Sequence, residues 1–317
     1  MRIAILGVGS IGSLFATRLA QTDCDLVLYA RGMVSQTLAS TGLVLHEVAG
    51  GMTHVPSSRW VVLEGDLTPE VSSCCDIAII CGKSGSTTEL AKVAEWLLKP
   101  EGIGVTLQNG LGNASKLQAW LGIHRFLMGS TTHGAMRLSP EEVRWAGRGE
   151  IHIGAPLGSD LADGSSKVLE FLELLEQAGL DPMWAEDPVR VVWGKLLLNV
   201  AINPLAAICG VRNGEILADG SLLEQARAAM LEANTVAAAE GVEFTESELV
   251  RDLDRVLAHT SENRCSMLQD IMAGRKTEIE AICGEVVRRG EENGIPTPLN
   301  AQLLSLVRGV EGSLSSD

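Results

Sequence analysis

The sequence predicts an α/β domain over residues 1–186 followed by an all-helical domain over residues 187–317. Three observations carry this. Short β-rich runs alternate with helical periodicity as far as residue 185, the first such run leaves through a glycine-rich turn at residues 7–12, and no strand-like run follows residue 187. A chain of 317 residues exceeds one typical core, which agrees with two domains.

The first strand is expected at Arg2–Leu6, followed by Gly7-Val-Gly9-Ser10-Ile11-Gly12 and a helix carrying Leu14, Phe15 and Leu19. A bare Gly-x-Gly-x-x-Gly is a weak signal. Here it leaves a strand, opens an amphipathic helix and precedes a second strand at 25–30, the context of a Rossmann-type dinucleotide-binding domain. Gly7 permits the tight turn, Gly9 lets backbone approach a pyrophosphate, and Gly12 allows close helix packing. Ser10 and Ile11 start the helix whose N-terminus meets the phosphates. The competing reading is a glycine turn without a ligand.

The end of the second strand bears on which dinucleotide fits. An acidic residue there usually holds the ribose hydroxyls of NAD, whereas this chain reads Tyr29-Ala30-Arg31-Gly32. Arg31 can pair with a 2′-phosphate, so NADP(H) is expected; the alternative is a solvated surface arginine.

Further strands are expected at 43–48, 60–63 and 76–81, the last ending in Gly82-Lys83, then a helix at 87–98 and a strand at 103–107 ending in Gln108-Asn109-Gly110. Ligands of open α/β sheets lie beyond the carboxyl ends of the strands, which places Lys83 and Asn109 on the rim of Gly7 and Arg31 as expected cofactor contacts, or substrate contacts; a surface lysine and an ordinary turn are the bland readings. Residues 143–153 read as a hairpin around Gly147–Gly149 that extends the sheet with antiparallel edges. A helix at 165–178 and a brief strand at 182–185 complete the domain, and His133, alone in a loop, reads as structural.

Residues 187–213 open the second domain. Asp187 is a suitable N-cap, Pro188 a suitable first helical residue, and Gly210 a C-terminal stop. Among apolar neighbours, Lys195, Asn199 and Asn203 recur every fourth residue. At about 3.6 residues per turn each step drifts by only about 40°, so they form one polar stripe. An unpaired ammonium or amide is costly in apolar surroundings, so the stripe requires partners, water or a ligand; a solvated helix edge is the bland alternative. Later helices are expected at 220–240, 246–260, 267–290 and 301–310, with a disordered tail at 312–317.

The net charge of −15 argues against nucleic acid and anionic membranes as partners. No charge-free run of about 18 apolar residues occurs and Met1 leads directly into a strand, so a soluble cytoplasmic protein without a span is expected. The seven cysteines lack Cys-x-x-Cys spacing and the six histidines lack ligand spacing, so reduced thiols and no metal are expected.

Taken in order, the motifs resemble those of the ketopantoate reductases (2-dehydropantoate 2-reductases) along essentially the whole chain. They are the glycine fingerprint, Arg31, Lys83, Gln108-Asn109-Gly110, Lys195 with Asn199 and Asn203-Pro204, Asn213-Gly-Glu215, Asn263-x-x-Ser266-Met-x-x-Asp270, Thr277-Glu278-Ile279 and Gly294-Ile-Pro-Thr-Pro298. The resemblance implies an NADPH-dependent reduction of a small anionic 2-oxo acid, with ketopantoate reduced to (R)-pantoate. It also implies Lys195 as catalytic lysine and Glu278 as active-site acid. Asn109, Asn199, Asn203, Asn213, Asn263 and Ser266 would be substrate-side groups, and a homodimer is the candidate assembly. The chain departs from the family at Cys81-Gly82 before Lys83 and at Ala206, where threonine is common; both bear on pocket shape.

Three other readings compete. One is a paralogue acting on another 2-oxo acid. A β-hydroxyacid dehydrogenase should show Lys-x-x-Asn-Asn, but three leucines separate Lys195 from the single Asn199. An NADP(H)-sensing regulator need not keep both Lys195 and Glu278. A Tyr-x-x-x-Lys reductase is excluded, since the only tyrosine is Tyr29 and position 33 is Met33.

Overall fold

A computed structural model describes residues 1–65 and 67–314. The chain divides into two compact units, one of residues 1–108 and 113–191, the other of residues 109–112 and 192–317.

The strands of the first unit are β1 (Arg2–Leu6), β2 (Asp25–Tyr29), β3 (Leu43–His46), β4 (Met52–Val55), β5 (Trp60–Leu63) and β6 (Cys75–Ile80). They continue with β7 (Leu98–Thr106), β8 (Phe126–Thr131), β9 (Gly134–Arg137), β10 (Glu142–Gly147), β11 (Ile151–Gly154) and β12 (Pro182–Trp184). Its helices are α1 (Ser10–Leu19), α2 (Gly32–Ser40), α3 (Thr87–Leu97), α4 (Asn113–Leu121) and α5 (Ser166–Gln177). An eight-stranded sheet runs β12-β11-β8-β7-β6-β1-β2-β5, parallel from β8 to β5, with β11 antiparallel to β8. Ile3, Ala4, Ile5 and Leu6 are all fully buried, as a strand covered on both faces requires. Strand order reverses between β1 and β6, so the loops after these two strands flank the switch point where such sheets bind ligands.

The expected hairpin at 143–153 does not form. β10 pairs with β9 and, in parallel, with β3 in a separate four-stranded sheet, β4-β3-β10-β9. β11 instead joins β8 antiparallel, Ile151 opposite Thr131, so an antiparallel edge exists but with another partner. The small sheet packs on α1 through β3, β9 and β10. The alternating buried positions Val143 and Trp145 need a partner surface, and α1 supplies it.

The second unit is helical, with no strand among its described residues. α6 (Pro188–Cys209) begins with the Asp187 carboxylate accepting from the Arg190 amide at 2.9 Å. It ends at Gly210, whose φ of +71° lets its own amide and that of Val211 turn back to the Ala206 carbonyl. By length and composition α6 could cross a membrane, but 61% of its most apolar window is buried in the protein, as befits a core helix. The remaining helices are α7 (Asn213–Ala218), α8 (Gly220–Ala239), α9 (Glu246–His259), α10 (Ser266–Met272), α11 (Cys283–Asn293) and α12 (Pro298–Leu314).

Two sequence expectations change here. The helix expected over 267–290 is broken, because Gly274 adopts φ +63° and the amides of Ala273 and Arg275 both close on the Asp270 carbonyl. The break leaves Thr277 and Glu278 outside a regular helix, just before a turn of 3₁₀ helix at Ile279–Ala281. At the C-terminus, α12 continues through Leu314 where a disordered tail was expected, and residues 315–317 of that tail lie outside the described residues.

Candidate functional site

Two groups of residues stand out, one in each unit. In the first, Gly7 has φ +88°, and a Cβ there would lie 2.5 Å from both Cα and N of Gly82. The loops after β1 and β6 therefore touch, which sets Lys83 beside the fingerprint. A Cβ on Gly12 would meet the Gly7 carbonyl oxygen at 2.5 Å, so α1 starts against the turn only because that residue is glycine. Gly9 differs, with nothing within 4 Å of an added Cβ, at the N-cap of α1 where Ser10, Ile11 and Gly12 begin the helix. An open backbone cradle at a helix N-terminus fits a dinucleotide pyrophosphate.

Sequence reasoning missed the side chain that braces this cradle. Arg137, the last residue of β9, donates from Nη2 to the Val8 carbonyl at 2.7 Å and to the Ser13 hydroxyl, and from Nη1 to the Pro140 carbonyl at 2.8 Å. Its backbone amide donates to the Ser10 hydroxyl at 3.2 Å. Burial lowers its pKa from the usual arginine value. No local motif marks it, since it reaches the loop only through the pairing of the small sheet. Gln108, buried beside Asn109, similarly ties the strand ends together, donating to the Gly82 carbonyl at 2.6 Å.

Arg31 sits at the end of β2, exposed, and its guanidinium pairs with the carboxylate of Glu89 from the first turn of α3. The next amide, Gly32 N–H, donates to Glu64 Oε1 at 2.5 Å. Neither acid was singled out in the sequence. Glu89 follows Lys83 by six positions, and Glu64 lies just beyond β5, with no motif around either.

In the helical unit, Lys195, Asn199 and Asn203 lie along α6 as the spacing predicts. Lys195 is half-buried, and loss of hydration pulls its pKa down to about 8, against the opposing charge of Glu278, which acts to raise it. Asn109 Nδ2 donates to Glu278 Oε2 at 3.0 Å, so Asn109 and Glu278 are bonded to each other and the Glu278 charge acts on Lys195. Asn199 is half-buried and Asn203 buried; the Asn203 carbonyl accepts from the Cys265 thiol at 3.7 Å. That contact anchors the start of α10, where Ser266 is the first residue and exposed.

Asn213 and Asn263 form a separate tie. The Asn213 amide nitrogen donates to the Asn263 carbonyl at 3.0 Å, and its side-chain Nδ2 to the Thr260 hydroxyl at 2.8 Å. Asn213 is buried and Asn263 exposed, so the first spends its side chain inside the protein while the second presents its own to solvent.

Comparison with known proteins finds relatives along nearly the whole chain. Residues 3–158 match the family model described as ketopantoate reductase PanE/ApbA, and residues 188–311 match its C-terminal counterpart. The 2-dehydropantoate 2-reductase of Archaeoglobus fulgidus is 35% identical over 99% of both chains. A PanE/ApbA family ketopantoate reductase from Ralstonia eutropha JMP134 superposes with a TM-score of 0.87 at 28% identity, covering 99% of this chain and 100% of that one. A D-mandelate dehydrogenase solved with NADH and anilino(oxo)acetate shares the fold, with a TM-score of 0.91 at 24% identity and full coverage of both chains.

Proposed function

The chain belongs to the ketopantoate reductase family and is a nicotinamide-dependent oxidoreductase, and on that premise we propose that it reduces 2-dehydropantoate (ketopantoate) to (R)-pantoate with NADPH, in pantothenate and coenzyme A biosynthesis. The observation that carries the reading is Lys195, half-buried and with its pKa lowered to about 8, under the charge of a Glu278 carboxylate held by Asn109. A lysine of that pKa is about nine-tenths protonated at pH 7 and gives up its proton more readily than a solvated lysine.

When bound, the reduced nicotinamide supplies the hydride to C2 of the oxo acid. Lys195 Nζ donates its proton to the oxygen developing at that carbon, becomes a neutral amine, and is reprotonated from solvent in the next cycle. Glu278 keeps the charged ammonium populated and is an acceptor for the substrate hydroxyl. Asn109 orients it. Asn199, Asn203, Asn263 and Ser266 provide donors for carboxylate and carbonyl oxygens, with Asn213 fixing the turn that carries Asn263. In the first unit, Gly7, Gly9, Ser10, Ile11 and Gly12 would hold the pyrophosphate and Arg31 the 2′-phosphate, with Lys83 a further cofactor contact beside the fingerprint.

The substrate reading is tested by paired kinetics. Ketopantoate and 3,3-dimethyl-2-oxobutanoate differ by one hydroxyl, and a site built to bond it leaves a buried partner unpaired when it is missing. That costs about 1 to 3 kcal/mol, so kcat/KM should favour ketopantoate by about 5- to 150-fold. Equal use of the two acids contradicts the assignment to pantoate synthesis.

A further inference from the structure

Both anion-accepting donors at the end of β2 are already committed to carboxylates. The Arg31 guanidinium pairs with Glu89, and the Gly32 amide that opens α2 donates to Glu64 at 2.5 Å. Arg31 and Glu89 are both substantially exposed, 58% and 46%, so their pairing is reversible and within reach of a ligand. A 2′-phosphate carries nearly two negative charges at neutral pH; to take Arg31 it must break the ion pair and then lie beside the released carboxylate. A ribose with a free 2′-hydroxyl meets no such competition, because a hydroxyl is neutral and can donate to a carboxylate.

We propose that Glu89 is a specificity-determining residue that works against Arg31: by holding the guanidinium it narrows the preference for NADPH over NADH. This rests on the reading of Arg31 as the 2′-phosphate ligand. The two residues come from different elements, α3 and the end of β2, so cofactor preference is set by a balance between them. Arg31 alone does not determine it.

The test is an equilibrium titration of NADPH and NADH, followed by quenching of intrinsic tryptophan fluorescence at low ionic strength, on wild type, R31A, E89Q and the double variant. Glu89 is exposed and Gln keeps its shape, so E89Q is expected to fold normally. E89Q should lower the Kd for NADPH by about 3- to 10-fold, the scale of an exposed ion pair plus removed like-charge repulsion, and change the Kd for NADH by less than about 2-fold. R31A should remove most of the NADPH preference, and adding E89Q to R31A should give a smaller gain than E89Q alone.

If R31A loses the preference while E89Q leaves the Kd for NADPH unchanged, the role of Glu89 is overturned and the Arg31 reading stands. If E89Q gains as much in the R31A background, the ion pair is not the cause, which also overturns the proposal. If R31A leaves the ratio of the two Kd values unchanged, the Arg31 reading fails and takes the proposal with it.

Discussion

Substituting Lys195 with alanine is expected to lower turnover by about 10²- to 10⁴-fold, the range for loss of a positioned general acid, while the thermal unfolding midpoint stays close to wild type. The two effects separate for a physical reason. Lys195 is held where hydration is poor, so its charge is a cost to the fold, and removing it relieves desolvation even as it removes packing of the methylene stem. Its apolar neighbours on α6, Leu196, Leu197 and Val200, are buried and hold the helix without it. If turnover is unaltered while the protein remains folded, proton donation belongs to another group.

The glycine fingerprint yields the other large effect, as a contrast between two substitutions. Gly7→Ala forces a side chain into φ +88° with its Cβ 2.5 Å from backbone atoms of Gly82, which cannot move without shifting β6. Left-handed strain and overpacking together amount to about 2 to 5 kcal/mol, a large part of the stability of an ordinary domain. Gly9→Ala meets no protein atom within 4 Å, so it should melt like wild type yet bind dinucleotide far more weakly, since the methyl occupies the backbone approach to the phosphates. Thermal unfolding and cofactor titration on the two variants check both. Equal stability of Gly7→Ala and Gly9→Ala contradicts the packing account, and undiminished dinucleotide binding by Gly9→Ala contradicts the cradle.

Much of the fold was legible because its signals are local. Strand, glycine turn and helix follow one another within residues 2–19, and α6 carries its own start and stop at Asp187 and Gly210. Pairing partners were not legible. Residues 143–153 have the alternation and glycines of a hairpin, but Val143 lies opposite Leu45, nearly a hundred residues earlier, because α1 needs a second sheet over its outer face. The break at Gly274 was hidden by continuous helical periodicity on both sides.

The candidate site divides in the same way. The stripe of Lys195, Asn199 and Asn203 shows in spacing alone, whereas the bond from Asn109 to Glu278 spans 169 positions and the brace from Arg137 to Val8 spans 129. Arg31 could be picked out by its place after β2, but its pairing with Glu89 depends on where α3 is packed.

In the proposed reaction Lys195 delivers the proton in the reduction of a small 2-oxo acid. The direct measurement is kcat/KM for ketopantoate from about pH 6 to about pH 10, read from NADPH oxidation, in wild type and K195A. An acid works only while protonated, so a lysine pulled down to about 8 should give a wild-type profile that is level below that pH and falls about tenfold per unit above it, with no such limb in K195A. A wild-type profile that stays flat across that range, or an unchanged falling limb in K195A, would contradict it.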